Sequence, residues 1–135
     1  MSAIIPKSIH PPFANYAHGV EVPAGGRIIR TSGQLGITAN GETPAEAYEQ
    51  AVICFANIRA VLAEKDMSAA NVVHLTAYVT AREHMGGYMK ARDEFTSVCE
   101  EPPASTLLIV SGFTRPEFLV EVEAMATATV PLVLD

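Results

Sequence analysis

The last third of the chain alternates with the period of a β-strand. Phe118, Val120, Val122, Ala124, Ala126 and Ala128 fall on one side, and Leu119, Glu121, Glu123, Met125 and Thr127 on the other. The first side is uniformly apolar, whereas the second sets two carboxylates between a leucine and a methionine. A solvated sheet face does not normally carry that mixture, and a fully buried one would not hold two unpaired charges. The pattern predicts a strand whose second face lines a semi-enclosed pocket or a seam between subunits. Residues 102–110, from Pro102 to Val110, read as another strand, and the Ser-Gly-Phe-Thr-Arg-Pro stretch at 111–116 as a hairpin joining the two.

Upstream, residues 1–18 carry Pro6, Pro11 and Pro12 among polar residues, which predicts an extended lead-in rather than a regular element. Strands are expected at about Gly19 to Val22 and Arg27 to Gln34, joined as a hairpin by Pro23-Ala24-Gly25-Gly26. A long helix follows, with Thr43 as N-cap, Pro44 in the first helical position and Glu46 closing a capping box, running to about Lys65. Ala47, Ala51, Cys54, Phe55, Ile58, Val61 and Leu62 form its apolar stripe. From Val72 to Thr80 the alternation predicts a strand, with Val73, Leu75, Ala77 and Val79 opposite His74, Thr76 and Tyr78. A second helix, about Glu83 to Val98, turns Met85, Tyr88, the stem of Arg92, Phe95 and Val98 inward and stops before Pro102.

Two helices cover only one face of a five- or six-stranded sheet, so the expected fold is α+β, a two-layer sandwich with a mixed sheet, as one domain over 1–135. The other face would display Tyr78, Leu107 or Leu108, and Met125. That is too apolar for a small monomer, and self-association is expected.

Composition narrows the partners. A net charge of −6 with nine Lys and Arg argues against nucleic acid, which is held through clustered cations. No apolar run approaches a membrane span and the first residues lack a basic-then-apolar leader, so a cytoplasmic protein without a membrane partner is expected. Two cysteines, Cys54 and Cys99, do not make a disulfide framework. Four histidines without i,i+4 pairing or a nearby cysteine make no metal site, and no glycine-rich loop opens a helix. No cofactor is expected.

The chemistry-bearing residues form an ordered set. Asn15-Tyr16-Ala17-His18-Gly19-Val20 comes first, then Thr31-Ser32-Gly33-Gln34 at the end of an apolar run, then Gln50 and Asn57 on the first helix. Pro103-Ala104-Ser105-Thr106 opens one strand and Val120-Glu121-Val122-Glu123-Ala124 lies in the last. In order and spacing the set resembles the RidA/YjgF family of small trimeric imine and enamine deaminases, also labelled L-PSP endoribonuclease-like, from about Asn15 to Thr129. The resemblance implies a chorismate mutase-like sandwich and a homotrimer with small-molecule pockets between subunits. It also implies that Glu121 positions the water attacking a substrate C=N carbon, and that Tyr16 closes the pocket.

Read as residues alone, Glu121 and Glu123 are equally a pair of charges satisfied by backbone amides or by a neighbouring arginine. Ser32 and Gly33 offer a hydroxyl and an unhindered amide to a polar substrate group, or merely a bend at a strand end. Tyr16 is packing unless the resemblance holds. Ser105 departs from the family pattern, in which an arginine after Pro-Ala clamps the substrate carboxylate; Met89 stands at about the place of the family's helix asparagine. A hydroxyl supplies no charge, so a substrate other than the usual 2-iminocarboxylate is expected. Arg115, on the loop between the last two strands, is the internal replacement considered. The alternative function is a trimer that binds a small metabolite without turnover.

Overall fold

The computed structural model describes residues 2–129. The five-stranded sheet is built on β7 (Val120–Ala128), which is central because its neighbours need both of its edges. β3 (Arg27–Arg30) and β4 (Gln34–Leu35) pair antiparallel with one edge, and β5 (Val72–Val79) pairs antiparallel with the other. β6 (Ala104–Ile109) then runs parallel to β5, which makes the sheet mixed. Helices α1 (Ala47–Ala63) and α2 (Met85–Phe95) pack together on one face. The core between the layers joins Ala51, Cys54, Phe55, Ile58 and Leu62 of α1 to Leu75, Ala77 and Val79 of β5 and Val120, Val122, Ala124 and Ala126 of β7. This is the expected α+β sandwich. Among the described residues, no helix is long and apolar enough to cross a membrane, and no group of three His, Cys, Asp or Glu is placed to hold a metal.

Several local expectations are corrected. Residues near the start do form a strand, β1 (Ser2–Ile4), and it pairs antiparallel with β2 (Gly19–Glu21) in a separate small sheet. β2 and β3 therefore do not make a hairpin. The run from Arg27 to Gln34 is broken, because Thr31 donates its N–H to the Ala124 carbonyl at 2.9 Å while its Oγ1 accepts from the Ala124 N–H at 3.0 Å. The register resumes only at Gln34 opposite Val122, so Ser32 and Gly33 together stand against Glu123 as a bulge.

The cap of α1 is Glu46, without a side-chain cap, rather than Thr43. Its Pro44 carbonyl is instead taken by the side chain of Gln50, whose Nε2 donates to it at 2.8 Å and to the Glu117 carbonyl at 2.9 Å. Gln50 Oε1 accepts from the Leu119 N–H at 2.9 Å, so one buried amide ties the segment before α1 to the one before β7. Val61 lies at the edge of the stripe and is exposed. Val98 is exposed too, since the chain tightens into a 3-10 turn at Thr96–Val98 and leaves the helical stripe. Finally, β6 and β7 are not a hairpin. β5 lies between them, and the 110–119 segment crosses its end, with the Val110 N–H on the Val79 carbonyl and the Thr80 N–H on the Leu119 carbonyl.

Candidate functional site

The face of β7 away from the helices carries Glu121 and Glu123. Across the sheet Tyr78 stands opposite Glu121 and Thr76 opposite Glu123. Tyr78 Oη donates to Glu123 Oε1 at 2.6 Å, which holds that carboxylate in place and raises the Tyr78 pKa. Glu121 has no ion-pair partner among the described residues. Partial burial, and then the charge of Glu123, raise its pKa above the ordinary carboxylate range.

Gly33 lies directly against the Glu121 carboxylate: a Cβ at that position would stand 2.6 Å from Cδ and 2.9 Å from Cγ. The bulge at Ser32–Gly33 thus has a consequence that spacing alone does not reveal. It brings backbone close over the carboxylate, and only glycine leaves the room. A partly desolvated, unpaired carboxylate beside an unhindered backbone is suited to accept a proton or hold a water.

Tyr16 and Ser105 are elsewhere. They share a cleft of about 240 Å³ with Leu107, Met85, Met89 and Arg92, on the helix side of the sheet. The register explains why: Ser105 pairs with Leu75, a core residue, while Glu121 pairs with Tyr78 on the opposite face. Leu107 accordingly packs toward the core, and Leu108 is the exposed one. Tyr16 Oη accepts from the Phe13 N–H at 3.3 Å. Tyr88, fully buried, is pushed up to about 12 by burial; the Arg92 charge and the nearby Ser105 hydroxyl work in the other direction. Ser105 lies close enough to act on the Tyr88 hydroxyl but outside hydrogen-bond geometry, for that hydroxyl has no partner among the described residues.

One chain therefore brings Gly33 against Glu121 on one face, with the exposed Ser32 beside it in the bulge, and Tyr16 with Ser105 on the other. Arg115 joins neither group. Its Nε pairs with Glu117 Oε1 at 3.0 Å, its guanidinium lies 4.7 Å from the Phe118 ring centre, and half of its side chain is exposed. Sequence reasoning passed over Arg92, read there as an apolar stem; the whole side chain is buried on the cleft wall. Its place one turn after Tyr88 on the buried stripe was the available signal. Neither thiol is poised for attack: burial raises both, Cys54 to about 12.

Comparison with known proteins places these features. The family model described as endoribonuclease L-PSP matches residues 7–128. The chain is 29% identical over 66 residues to TdcF of Escherichia coli strain K12, named as a candidate reactive intermediate deaminase; the match spans 48% of this chain and about half, 49%, of that protein. A RutC family protein of Haemophilus influenzae is 28% identical over 104 residues, 75% of this chain and 79% of that one. Among solved structures, YyfB of Yersinia pestis, a Rid family protein of unknown function, superposes with a TM-score of 0.83 at 28% identity, covering 94% of this chain and 98% of that one. The YjgF product of E. coli, at 22% identity over 93% and 98% of the two chains, shares the fold with a TM-score of 0.69.

Proposed function

The chain belongs to the endoribonuclease L-PSP family, which includes the RidA/YjgF proteins, and from that premise we propose that it hydrolyses a small imine or enamine in clefts between the subunits of a homotrimer. Glu121 carries the reaction. Water adds to the C=N carbon while the carboxylate takes its proton; the proton passes to nitrogen, and the carbinolamine collapses to a carbonyl and ammonia. Such substrates already decompose in water, so a positioned water and one proton carrier suffice. The observation behind this reading is the Glu121 carboxylate, without an ion-pair partner among the described residues, raised in pKa and overlaid by Gly33. Cleavage of RNA, suggested by the family label, is disfavoured by the net charge of −6.

The trimer is part of the proposal, because a single chain separates the two residue groups. Tyr16 and Ser105 of one subunit are to meet Ser32, Gly33 and Glu121 of the next. A second reading, a metabolite-binding trimer without turnover, is favoured by Ser105, which offers no cation to a bound acid. Freshly generated imines, with carbonyl product and ammonia detected, decide between the two. Glu121→Gln is expected to keep fold and assembly and to lose about 10²–10⁴ in rate. Turnover unaffected by that change, or a stable monomer in sedimentation at micromolar concentration, refutes the water-holding role or the shared cleft respectively.

A further inference from the structure

Arg92 is only 3% exposed, yet among the described residues its one ion pair and one side-chain hydrogen bond run from Nε to Asp93 Oδ1, at 3.2 Å. A guanidinium carries five N–H donors, and the two terminal nitrogens of Arg92, without a protein partner among the described residues, are not sealed off from the surface but open at the cleft it lines. Asp93 gives little relief, since its own side chain is half exposed to water. The cleft on which Arg92 lies is otherwise apolar, walled by Met85, Met89 and Leu107, with Tyr16 and Ser105 as its polar groups. At about 240 Å³ it falls below the roughly 300–1,000 Å³ usual for drug-sized ligands.

We propose that Arg92 is the anion-recognising residue of this cleft and that the ligand is a small monocarboxylate with an apolar body. The carboxylate takes the free edge of the guanidinium as a fork, and its hydrocarbon part lies against the two methionines and Leu107. Ser105, too short to reach across, leaves that edge open and offers its hydroxyl to one carboxylate oxygen. The proposal rests on the imine-hydrolase reading only in naming this cleft as one wall of the shared site. It reverses the expectation drawn from Ser105 alone: the cation absent from β6 is supplied by α2, so the substrate remains an acid.

The test uses the full chain and two unreactive probes of equal shape, propanoate and propanamide. Propanoate is expected to shift the Arg92 Nε–H and Leu107 methyl NMR signals saturably, and propanamide to bind at least about tenfold more weakly. Arg92→Gln should erase the difference, and Arg92→Lys should keep part of it. Equal binding of the two probes, no saturable response to propanoate, or a preference that survives Arg92→Gln overturns the proposal. Should Arg92→Gln fail to fold, the wild-type Nε–H signal with the two probes still decides. The two readings fail separately. Propanoate bound at Arg92 in a protein that turns over no imine sinks the hydrolase and leaves the anion site; turnover without any carboxylate preference does the reverse.

Discussion

Replacing Gly33 by alanine tests the catalytic geometry with little disturbance of the fold. The new Cβ would overlap Glu121 Oε1 and stand 2.6 Å from Cδ, where ordinary contact begins at 3.4 Å, so the carboxylate must retreat by more than about 0.8 Å. What it meets is the end of a rotatable side chain, and Gly33 does not have the positive φ that would strain an alanine. A forced rotamer costs about 0.5–1.5 kcal/mol, whereas the loss of glycine freedom in the unfolded chain returns about 0.4–1 kcal/mol. Folding stability should therefore change by less than about 1 kcal/mol. Catalysis should not be spared, since a misplacement of roughly 1 Å costs about 10²-fold in rate. The measurements are a urea titration beside kcat/KM for imine hydrolysis. In a Glu121→Gln background the same alanine should cost little more, because the group it displaces no longer works. A folded Gly33→Ala protein with turnover within about twofold of wild type would refute the reasoning, and with it the need for a placed carboxylate.

Three further outcomes follow from the same contacts. Because the folded protein raises the Glu121 pKa, it binds more protons than the unfolded chain between the ordinary and the raised value; stability is then lost as pH rises through that window. Glu121→Gln should accordingly melt higher than wild type at pH 7, by less than about 1 kcal/mol for so partly exposed a group, and the gain should vanish in acid; a gain independent of pH contradicts the shift. Glu123→Gln removes the charge that helps raise Glu121 and weakens the acceptor of Tyr78, so the acid limb of the pH–rate profile should move down while kcat changes little; an unmoved limb counts against the coupling. Gln50→Ala leaves the Pro44 and Glu117 carbonyls and the Leu119 N–H without their partner and should destabilise by about 3 kcal/mol in urea unfolding, a loss below about 1 kcal/mol showing that water replaces it.

The elements with a strong period were legible in the sequence. β5, β7 and both helices lie where alternation and the apolar stripes put them, because each buries one whole face and no other arrangement hides it. What failed was long-range. The Thr43-Pro44 signal is a sound local cap, but a single buried amide, Gln50, captures the Pro44 carbonyl and delays the helix to Ala47. Turn residues at 23–26 and 111–116 mark reversals correctly without saying which strand waits on the far side. β2 pairs with β1 in a separate sheet, and β6 and β7 both pair with β5, and nothing in a turn encodes that.

The same limit governs the candidate site. Alternation tells which residues of one strand share a face, but strands are related only through register, which no single strand contains. Ser105 lies beside Leu75 and Glu121 beside Tyr78, and Leu75 and Tyr78 are an odd number of residues apart on β5. Their side chains must therefore leave the sheet on opposite faces, and so must Ser105 and Glu121, whatever the loops do. Two consequences follow for any chemistry that uses both. It cannot occur within one chain, and it requires a neighbour that turns its open sheet face toward this chain's helix-side cleft. The exposed Ile28 on β3 and Leu108 on β6 suit such a contact, whereas Arg30, His74 and Glu123 make that face more polar than Tyr78 and Met125 alone suggested. Association through it would bury charges along with hydrocarbon, and so should depend on how Glu123, Tyr78 and Arg30 are paired in the assembled state.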